Sequence, residues 1–449
     1  AAEAALAARR PAPAAGTPRP RTLAAALRAL PDASLALVSV PGAYAGAEAR
    51  RALDAGLHVM IFSDNVPLET EVELKRVARE RGLFLLGPDC GTAIVAGVPL
   101  GFANAVPRGR IGLVAASGTG LQEVTCRLAA EGEGVSHALG VGSRDLTDAV
   151  GGVMTLAALA ALGADPATEV IVVLGKPPGV AVATRVAETL RGVGKPSVTC
   201  FAGPVGADDG SPAGTAGGPF EQGVARPTRS PGPHAASTLE DAALAAVALA
   251  RGESPRAIEF TLPAAEVDRV VAEHARSLAP GQRFVRGVYS GGTLAWEAAS
   301  LLSARLDGVA PGVRGGGAGH RIVDLGDDVF TVGRPHPMID GAGRREWIAR
   351  EADDPATAVL LLDVVLGYGA HPDPAGELAP ALEAARRRAA AVGRGLAIVA
   401  GVTGTERDPQ PRSWQVATLR RAGVLVMDSN AQAARLAARI AAAAPGGRR

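Results

Sequence analysis

The sequence is poor in the residues on which several classes of protein depend. Its 3 cysteines among 449 residues are too few and too scattered for a disulfide framework or a zinc site. Aromatic residues make up 3% of the chain and the net charge is +1, so the basic face and stacking rings of a nucleic-acid-binding protein are not expected. No apolar run reaches the roughly eighteen residues of a membrane-spanning helix, and we predict no membrane partner.

The first 31 residues lack the features of a secretory leader. They are rich in Ala, Arg and Pro, with neither a compact apolar segment nor a cleavage site, so we predict a cytoplasmic protein. The chain begins with Ala rather than Met. We expect residues 1–31 to be a tail or linker that follows a missing segment.

Lysine is scarce as well. Three lysines stand among 46 basic residues, which leaves 46 − 3 = 43 arginines. A genome-wide preference for arginine would explain this ratio. A lysine that survives in a Gly-Lys-Pro turn, as Lys176 does, is nevertheless informative, because ammonium and guanidinium groups are not interchangeable at a tight anion site.

What the sequence does contain is an α/β pattern. Near-continuous apolar strands alternate with amphipathic helices from Leu35 onward, which predicts parallel sheets covered by helices on both faces. A break near 107–109 starts a second unit, and a stretch rich in Gly and Pro separates it from a third. The predicted segments are a tail at 1–31, a first βα unit at 32–106, a second at 107–205, a linker at 206–255 and a third unit at 256–449.

The third unit repeats the second. A strand runs into Ser-Gly-Thr-Gly at 117–120 and another into Ser-Gly-Gly-Thr at 290–293, and Asp-Pro pairs follow at 165 and 354. The offsets are 290 − 117 = 173 and 354 − 165 = 189, so the third unit holds about sixteen extra residues between these landmarks. The most polar part of the insertion spans 319–343, and we look for function there.

Each Gly-rich loop lies between a strand and a helix, where free backbone N–H groups and the helix dipole favour an anion. The alternative is an ordinary turn with a serine N-cap. Because two such loops stand at equivalent places in duplicated units, we favour a facing pair of helix N-termini. The predicted phosphate-binding residues are Ser117, Gly118, Thr119, Gly120, Ser290, Gly291, Gly292 and Thr293.

Two further candidates would act on the substrate directly. Lys176 follows a predicted parallel strand, on the side where open α/β sheets bind ligands, and could neutralise a phosphate or carboxylate. His336 stands between two prolines that fix extended backbone, and could be an acid, a base or a hydrogen-bond donor. The alternatives are a rigid surface turn for Lys176 and a partner-facing loop for His336.

Four residues are predicted to contact the substrate. Arg334 and Asp340 flank His336 in the sequence, and Thr405 and Arg407 follow another predicted strand. A guanidinium there could bind a carboxylate in a two-pronged way, whereas the alternative is a capped loop in solvent.

A cluster of three aspartates precedes His336, at Asp324, Asp327 and Asp328. Carboxylates at this spacing could hold a cation, but clustered aspartates more often cap helices and turns. We therefore predict no metal site.

Taken together, these motifs resemble the FdrA family, within the superfamily of succinyl-CoA synthetase and the NDP-forming acyl-CoA synthetases. The matching segments are Phe-Ser-Asp-Asn-Val at 62–66, Gly-Pro-Asp-Cys-Gly-Thr at 87–92, Ala-Ser-Gly-Thr-Gly at 116–120, Lys-Pro-Pro at 176–178, Tyr-Ser-Gly-Gly-Thr-Leu-Ala at 289–295, Gly-Arg-Pro-His-Pro-Met-Ile-Asp at 333–340 and Val-Thr-Gly-Thr-Glu-Arg-Asp-Pro-Gln at 402–410. The resemblance implies an α/β protein in which a CoA-binding-like Rossmann domain precedes two flavodoxin-like domains of the succinyl-CoA-ligase type, with parallel sheets.

The chain departs from the synthetases where they carry phosphate on a histidine. Their Gly-His-Ala-Gly loop would follow Phe201, where this chain has Ala-Gly-Pro-Val-Gly-Ala-Asp at 202–208. Lys176 stands where they place a glutamate beside the phosphohistidine, and the upstream Gly-rich half of their CoA site is absent. We therefore do not expect a complete ATP-driven ligation of CoA.

The FdrA resemblance implies instead a subunit of a multi-subunit carbamoyltransferase in allantoin breakdown. Such an enzyme would convert oxalurate and phosphate into oxamate and carbamoyl phosphate, with companion subunits as partners. Phosphate and carbamoyl phosphate are then the expected ligands, and no cofactor is assigned. Two alternatives stay open: an NDP-forming acyl-CoA synthetase, which would bind CoA and nucleotide, and a non-catalytic scaffold.

Overall fold

A computed structural model describes residues 20–201, 232–310, 312–314 and 318–445 of the chain. Its helices are α1 (Leu23–Ala29), α2 (Gly42–Asp54), α3 (Leu68–Glu80), α4 (Gly118–Ala130), α5 (Val153–Ala164), α6 (Val180–Val193), α7 (Leu239–Ala250), α8 (Ala264–Ser277), α9 (Gly292–Ser303), α10 (Asp328–Thr331), α11 (Ala342–Asp353), α12 (Pro374–Ala391), α13 (Arg412–Arg421) and α14 (Asn430–Ala442). Its strands are β1 (Leu35–Val38), β2 (His58–Ile61), β3 (Leu85–Leu86), β4 (Thr92–Val95), β5 (Val98–Gly101), β6 (Arg108–Ala115), β7 (Val135–Gly140), β8 (Val170–Gly175), β9 (Ser197–Phe201), β10 (His234–Ala235), β11 (Phe284–Tyr289), β12 (Arg321–Asp324), β13 (Thr357–Val365), β14 (Ala397–Thr403) and β15 (Leu425–Met427).

The amino-terminal unit is a small parallel sheet in the order β1-β2-β3. Helix α2 buries Ala45, Ala49, Ala52 and Leu53, which the spacing of the helix brings to one side. The β4–β5 hairpin, although it lies in the first predicted unit, joins the second sheet, where β4 pairs antiparallel with β7. The first and second units are therefore tied together by main-chain hydrogen bonds.

The second and third sheets have the same strand order. The second runs β10-β9-β8-β6-β7 before its antiparallel hairpin, and the third runs β15-β14-β13-β11-β12. Strands within each set of five are parallel. In both, the first strand of the unit lies next to the centre and the last at an edge, which is the flavodoxin-like order. The predicted α/β fold class and the duplication are confirmed.

The predicted linker at 206–255 is wrong in its later part. Residues His234–Ala235 form β10, which pairs with β9, and α7 packs against α4 as the last helix of the second unit. The helix buries small apolar residues such as Leu239, Ala242 and Ala246. An alanine-rich helix behind a two-residue strand gives little periodic signal, so the pattern missed it. Residues 202–231, which include the loop compared with the synthetases' phosphohistidine loop, lie outside the described residues.

The two duplicated units share one continuous apolar core rather than a separable interface. Each also caps a helix of the other. The Glu123 carboxylate accepts from the amide of Asn430, the first residue of α14, at 3.1 Å. Glu297 accepts from the amide of Leu239, the first residue of α7, at 2.7 Å. Because a carboxylate at a helix start satisfies free N–H groups and the dipole, these bonds fix the relative position of the two units.

A buried ion-pair network attaches the amino-terminal unit to the second one. The Lys75 ammonium on α3 lies 2.8 Å from Glu71 and 2.8 Å from Asp145, and all three side chains are fully buried. It also donates to the carbonyl of Val141 at 3.0 Å. Asp145 in turn accepts from the amide of Thr155 at 2.8 Å.

Within the described ranges, no helix has the length and apolar character needed to cross a membrane.

Replacing Lys75 by methionine should strongly destabilise the attachment of the amino-terminal unit. The change leaves Asp145 without its cation and Glu71 with only the partly exposed Arg144, and breaking a buried ion pair typically costs about 3–5 kcal/mol. Urea denaturation and limited proteolysis of the 32–106 region measure the effect. The neighbouring Arg76→Met removes an ion pair on the solvent-exposed face of the same helix and is the control. Equal unfolding midpoints for the two variants would contradict the assigned role of Lys75.

Candidate functional site

A cavity of about 1160 Å³ lies where the three units meet. Loops at the carboxyl ends of strands from all three sheets line it, including those after β2, β6, β8, β11 and β12. In parallel α/β sheets this edge is where ligands bind, because the following helices begin there. The cavity is therefore the candidate active site.

The two Gly-rich loops meet in this cavity, as the duplication predicts. The hydroxyls of Ser117 and Thr293 are 2.5 Å apart. A Cβ atom added to Gly291 would lie 2.8 Å from Thr119, so the loops are in close contact. Helices α4 and α9 thus begin side by side at one point.

The second loop is already occupied by a carboxylate of the protein itself. Asp363, on β13, accepts hydrogen bonds from the amide of Ser290 at 2.9 Å and from the amide of Gly291 at 2.8 Å. The Ser290 hydroxyl donates to the same carboxylate at 3.0 Å, and Arg344 pairs with it at 2.9 Å. This geometry corrects the prediction that Ser290 and Gly291 bind phosphate, because their donors are already used.

The first loop has no such internal anion. Ala115 pairs with Leu174 across β6 and β8, as Val288 pairs with Leu362 across β11 and β13. The residue after Leu362 in the third unit is Asp363, whereas the residue after Leu174 in the second unit is Gly175. No described residue accepts a hydrogen bond from the amides of Ser117, Gly118 or Thr119, while the Ser117 hydroxyl caps Gly120 at 2.9 Å. The duplicated pair therefore contains one open anion cradle and one filled one.

Lys176 and a group of aspartates set the electrostatics of the cavity. The half-buried Lys176 lines it and lowers the pKa of nearby carboxyls, but burial outweighs its effect. Burial, with the neighbouring charge of Asp363, raises the pKa of Asp324 to about 7. Burial also raises the pKa of Asp89 to about 6, with Asp328 contributing. At neutral pH, protonated and ionised carboxyls therefore coexist in the cavity.

His336 lines the same wall and is neutral. Burial lowers its pKa to about 4. Its Nδ1 accepts from the amide of Met338 at 3.2 Å, which places the proton of the neutral ring on Nε2. A Cβ atom added to Gly326 would lie 2.7 Å from the carbonyl oxygen of Ser290, 2.8 Å from that Nε2 and 3.2 Å from Oδ1 of Asp324. His336 and Asp324 therefore both lie next to Gly326. Of the roles predicted for His336, the geometry favours the hydrogen-bond donor.

The four predicted substrate contacts do not line the cavity. Arg334 and Arg407 are exposed, and Asp340 caps α11 by accepting from the amide of Ala342 at 2.8 Å. Thr405 donates to the carbonyl of Ala105 at 2.9 Å. The 402–410 motif follows a strand, as predicted, but folds back onto the chain at 104–105 instead of facing the ligand.

Several residues that line the cavity were missed from the sequence. They are Asp64, Asp89, Thr92, Gln122 and Arg144. The Gly-Pro-Asp-Cys-Gly segment was a usable signal, because Asp89 follows a strand and adopts a φ of 56°, a backbone region uncommon for aspartate. Thr92 ends the same motif at 87–92, whereas Gln122 gave no signal, since a helix residue reaches the cavity only through tertiary packing.

The aspartate cluster is used in different ways by its members. All three line the cavity, and Asp327 also accepts from the amide of Val329 at 3.1 Å and so caps the short α10. Within the described part of the chain, no group of three or more His, Cys, Asp or Glu side chains is arranged to hold a metal ion.

Comparison with known proteins identifies relatives of the whole chain and of its parts. The CoA-ligase family model matches residues 288–440. The uncharacterized protein YahF of Escherichia coli strain K12 is 39% identical over 427 residues, covering 93% of this chain and 78% of YahF.

More distant relatives match only part of the chain. The mitochondrial succinate–CoA ligase [ADP-forming] subunit alpha-2 of Trichomonas vaginalis is 31% identical over 180 residues, which are 38% of this chain and 57% of that subunit. The corresponding alpha subunit of Staphylococcus epidermidis is 31% identical over 155 residues, 33% of this chain and 49% of that subunit. The chain thus spans about half the length of these ligase subunits.

Among solved structures, the apo form of the dinucleotide-forming acetyl-coenzyme A synthetase 1 of Ca. Korarchaeum cryptofilum matches with a TM-score of 0.38 and 16% identity. The match covers 91% of this chain and 83% of the synthetase. The fold assignment itself rests on the family match and on the strand order of the sheets.

Placing a carboxylate at position 175 should close the open cradle, as Asp363 closes the other. Gly175→Asp is expected to reduce inorganic phosphate binding about 100-fold, because an internal anion competes for the same amides. Isothermal titration with phosphate measures the change. Gly175→Ala is the matched control, since its Cβ meets the same neighbour, Leu146, at 2.7 Å without adding charge. Equal phosphate affinity in the two variants would show that the Ser117 loop is not the site.

Proposed function

We propose that this chain, which belongs to the protein family of Escherichia coli YahF and carries a CoA-ligase domain, transfers a carbamoyl group between oxalurate and phosphate. It would do so as one subunit of a carbamoyltransferase, together with companion subunits. The reaction consumes oxalurate and phosphate and yields oxamate and carbamoyl phosphate. The FdrA-like motifs support this substrate pair.

The observation that carries the proposal is the open anion cradle beside a neutral donor and a protonated acid. The amides of Ser117, Gly118 and Thr119, which donate to no residue in the described part of the chain, suit a phosphate dianion, and Lys176 in the same cavity balances its charge. His336 and Asp324 supply the hydrogen-bond donor and the proton. Phosphate attack on a carbamoyl carbon needs these groups and no covalent carrier.

The bond changes assign a role to each group. A phosphate oxygen attacks the carbamoyl carbon, and the carbonyl oxygen becomes an oxyanion that the Nε2–H of His336 stabilises. The carbon–nitrogen bond to oxamate then breaks as the carbonyl reforms. The departing nitrogen takes a proton from the Asp324 carboxyl, which becomes a carboxylate. The proton that the attacking phosphate carried returns to Asp324 as carbamoyl phosphate forms its dianion, so the products are carbamoyl phosphate and oxamate and the acid is regenerated.

The second candidate is acyl-CoA ligation, which the CoA-ligase family match favours. The residues support it less well, because that chemistry passes phosphate through a histidine nitrogen. No histidine stands in the sequence 202–208, and the cavity residue His336 carries its proton on Nε2, since its Nδ1 accepts from the amide of Met338. An imidazole nitrogen that holds a proton has no lone pair with which to attack phosphorus.

Companion subunits belong to the proposal because the cavity mouth has apolar residues in solvent. Ile339 is 44% exposed and Val40 is 38% exposed, and both line the cavity. Apolar side chains grouped beside a site are typical of a surface that a partner covers. A covered mouth would also exclude water, which competes with phosphate for the carbamoyl carbon.

Lys176→Met should lower kcat/KM for carbamoyl phosphate formation about 100-fold, because the phosphate loses its cation. The assay uses the chain purified with the products of its neighbouring genes and follows carbamoyl phosphate formed from oxalurate and phosphate. Lys195→Met is the matched control: it also replaces a lysine in a Gly-Lys-Pro turn, but Lys195 donates to the carbonyls of Leu162 and Asp165 outside the cavity. CoA-dependent release of ADP, with no carbamoyl phosphate formed, would favour the ligase instead.

The pH dependence should reveal Asp324 as the acid. Its pKa is raised from the ordinary 3.8 to about 7, so the active, protonated form predominates below pH 7 and is lost as the pH rises. kcat/KM for oxalurate should therefore fall tenfold per unit above about pH 7. In the reverse direction Asp324 must be a base, and the rate should rise over the same range. Asp324→Asn should be slow and lose both dependences, and an unchanged profile would exclude Asp324 as the acid.

A further inference from the structure

Two buried polar atoms beside the cavity have no hydrogen-bond partner among the described residues. They are the Oγ1 of Thr92 and the Oε1 of Gln122; both residues line the cavity, at 2% and 1% exposure, and the two atoms themselves are buried just behind its wall. A buried acceptor without a donor costs free energy, and native proteins keep few of them. An unpaired atom just behind the wall of a cavity is therefore a place where a ligand supplies the missing bond.

The orientation of the Gln122 amide is fixed by its surroundings. Its Nε2, with two hydrogens to donate, lies within hydrogen-bond distance of three oxygens: the carbonyl of Leu366 at 3.0 Å, Oδ1 of Asn104 at 3.0 Å, and the carbonyl of Phe102. These three oxygens can only accept, so the nitrogen must point toward them. The oxygen of Gln122 is left on the other side, and it can only accept.

The orientation of the Asn104 amide is fixed in turn by the carboxylate of Asp408. The Nδ2 of Asn104 donates to Asp408 at 2.8 Å, which leaves Oδ1 of Asn104 to face Gln122. Asp408 is itself held by the amides of Ala105 and Thr405, each at 2.7 Å. The motif at 402–410 thus acts on the cavity through a relay of three side chains, Asp408, Asn104 and Gln122.

We propose that Gln122 is a specificity-determining residue whose Oε1 accepts an N–H of the carbamoyl group and so selects carbamoyl over acyl substrates. Asp408 is then a positioning residue, which acts through Asn104. The inference rests on the proposed carbamoyl transfer and adds the feature by which the substrate is recognised. A methyl group in place of the carbamoyl NH₂ has the same size but cannot donate, so it would leave the acceptor unpaired.

The position of Gln122 fits this role. Residues four apart lie one above the other on a helix, so Gln122 is on the same side of α4 as Gly118 and one turn further along. Phosphate bound at the amides that begin α4 therefore has Gln122 beside it. Thr92 lies next to the same helix start: a Cβ atom added to Gly118 would be 3.4 Å from the Thr92 hydroxyl. The carbamoyl group of carbamoyl phosphate is attached to the bound phosphate, and a small shift of the buried Gln122 side chain would bring Oε1 within its reach.

The test compares carbamoyl phosphate with acetyl phosphate, which differ by NH₂ against CH₃. With the purified chain and its companion subunits, competition titration should give a preference for carbamoyl phosphate of at least about tenfold, or about 1.4 kcal/mol. Gln122→Met should bring the two affinities together by weakening carbamoyl phosphate alone. Inorganic phosphate, which has no N–H, should bind the variant as it binds the unaltered protein.

Two further variants separate specificity from folding. Gln432→Met also replaces a buried glutamine, but one whose Nε2 is satisfied by Glu240 and whose Oε1 is satisfied by Thr261, and it should keep the preference. Asp408→Asn is nearly isosteric but can donate toward Asn104, so it should reduce the preference several-fold. If Gln122→Met fails to fold, the preference measured for Asp408→Asn tests the role of Gln122 instead.

Each outcome bears on a separate claim. Equal affinity of the unaltered protein for the two acyl phosphates overturns the inference about Gln122, and so does a preference that survives both Gln122→Met and Asp408→Asn. If phosphate and carbamoyl phosphate both fail to bind, the proposed function itself fails. If carbamoyl phosphate and acetyl phosphate bind equally well, the role of Gln122 is lost but the proposed function is not contradicted.

Discussion

The contact between the starts of α4 and α9 is the constraint on which the rest of the site depends. It is made by the hydroxyls of Ser117 and Thr293, and a shared apolar core lies behind it. The carboxylates of Glu123 and Glu297 reinforce the core, because each caps a helix in the other unit. Two helix N-termini repel each other electrostatically, so only a large buried interface of this kind can hold them together.

Duplication supplied two anion cradles, and a single position on the middle strand made them different. Asp363 accepts hydrogen bonds from the amides of Ser290 and Gly291, and the buried Arg344 balances its charge. Gly175 leaves the equivalent amides open. A protein that held two free cradles in contact would place two anions side by side. An internal carboxylate in one of them relieves that repulsion and leaves the other to define where the ligand binds.

The amino-terminal unit turns this contact into an enclosed site. The buried Lys75 network holds it against the second unit, and its loops bring Asp64, Asp89 and Phe62 to the cavity wall. Burial of several carboxyls beside one another raises the pKa of Asp324 and Asp89, because ionising them all in a poorly solvated space is unfavourable. The acidity of the site is thus a property of the assembled units.

The sequence alone determined the elements, the duplication and the place of the Gly-rich loops. Strand runs and glycines are local signals, and a repeated pattern reports a repeated fold because both copies obey the same packing rules. Lys176 and His336 were found for the same reason, since each stands in an unusual local motif. The strand and helix at 234–250 were missed because a two-residue strand carries too little periodicity.

Only the tertiary structure decided which candidates share a cavity. Asp363 lies 73 residues from Ser290 and fills its loop, while Arg407 follows a strand and still points away. Gln122 looks like an ordinary helix residue until Asn104 and Asp408, distant in sequence, orient its amide. Hydrogen-bond polarity and shared burial depend on neighbours brought together by folding, so no local pattern encodes them.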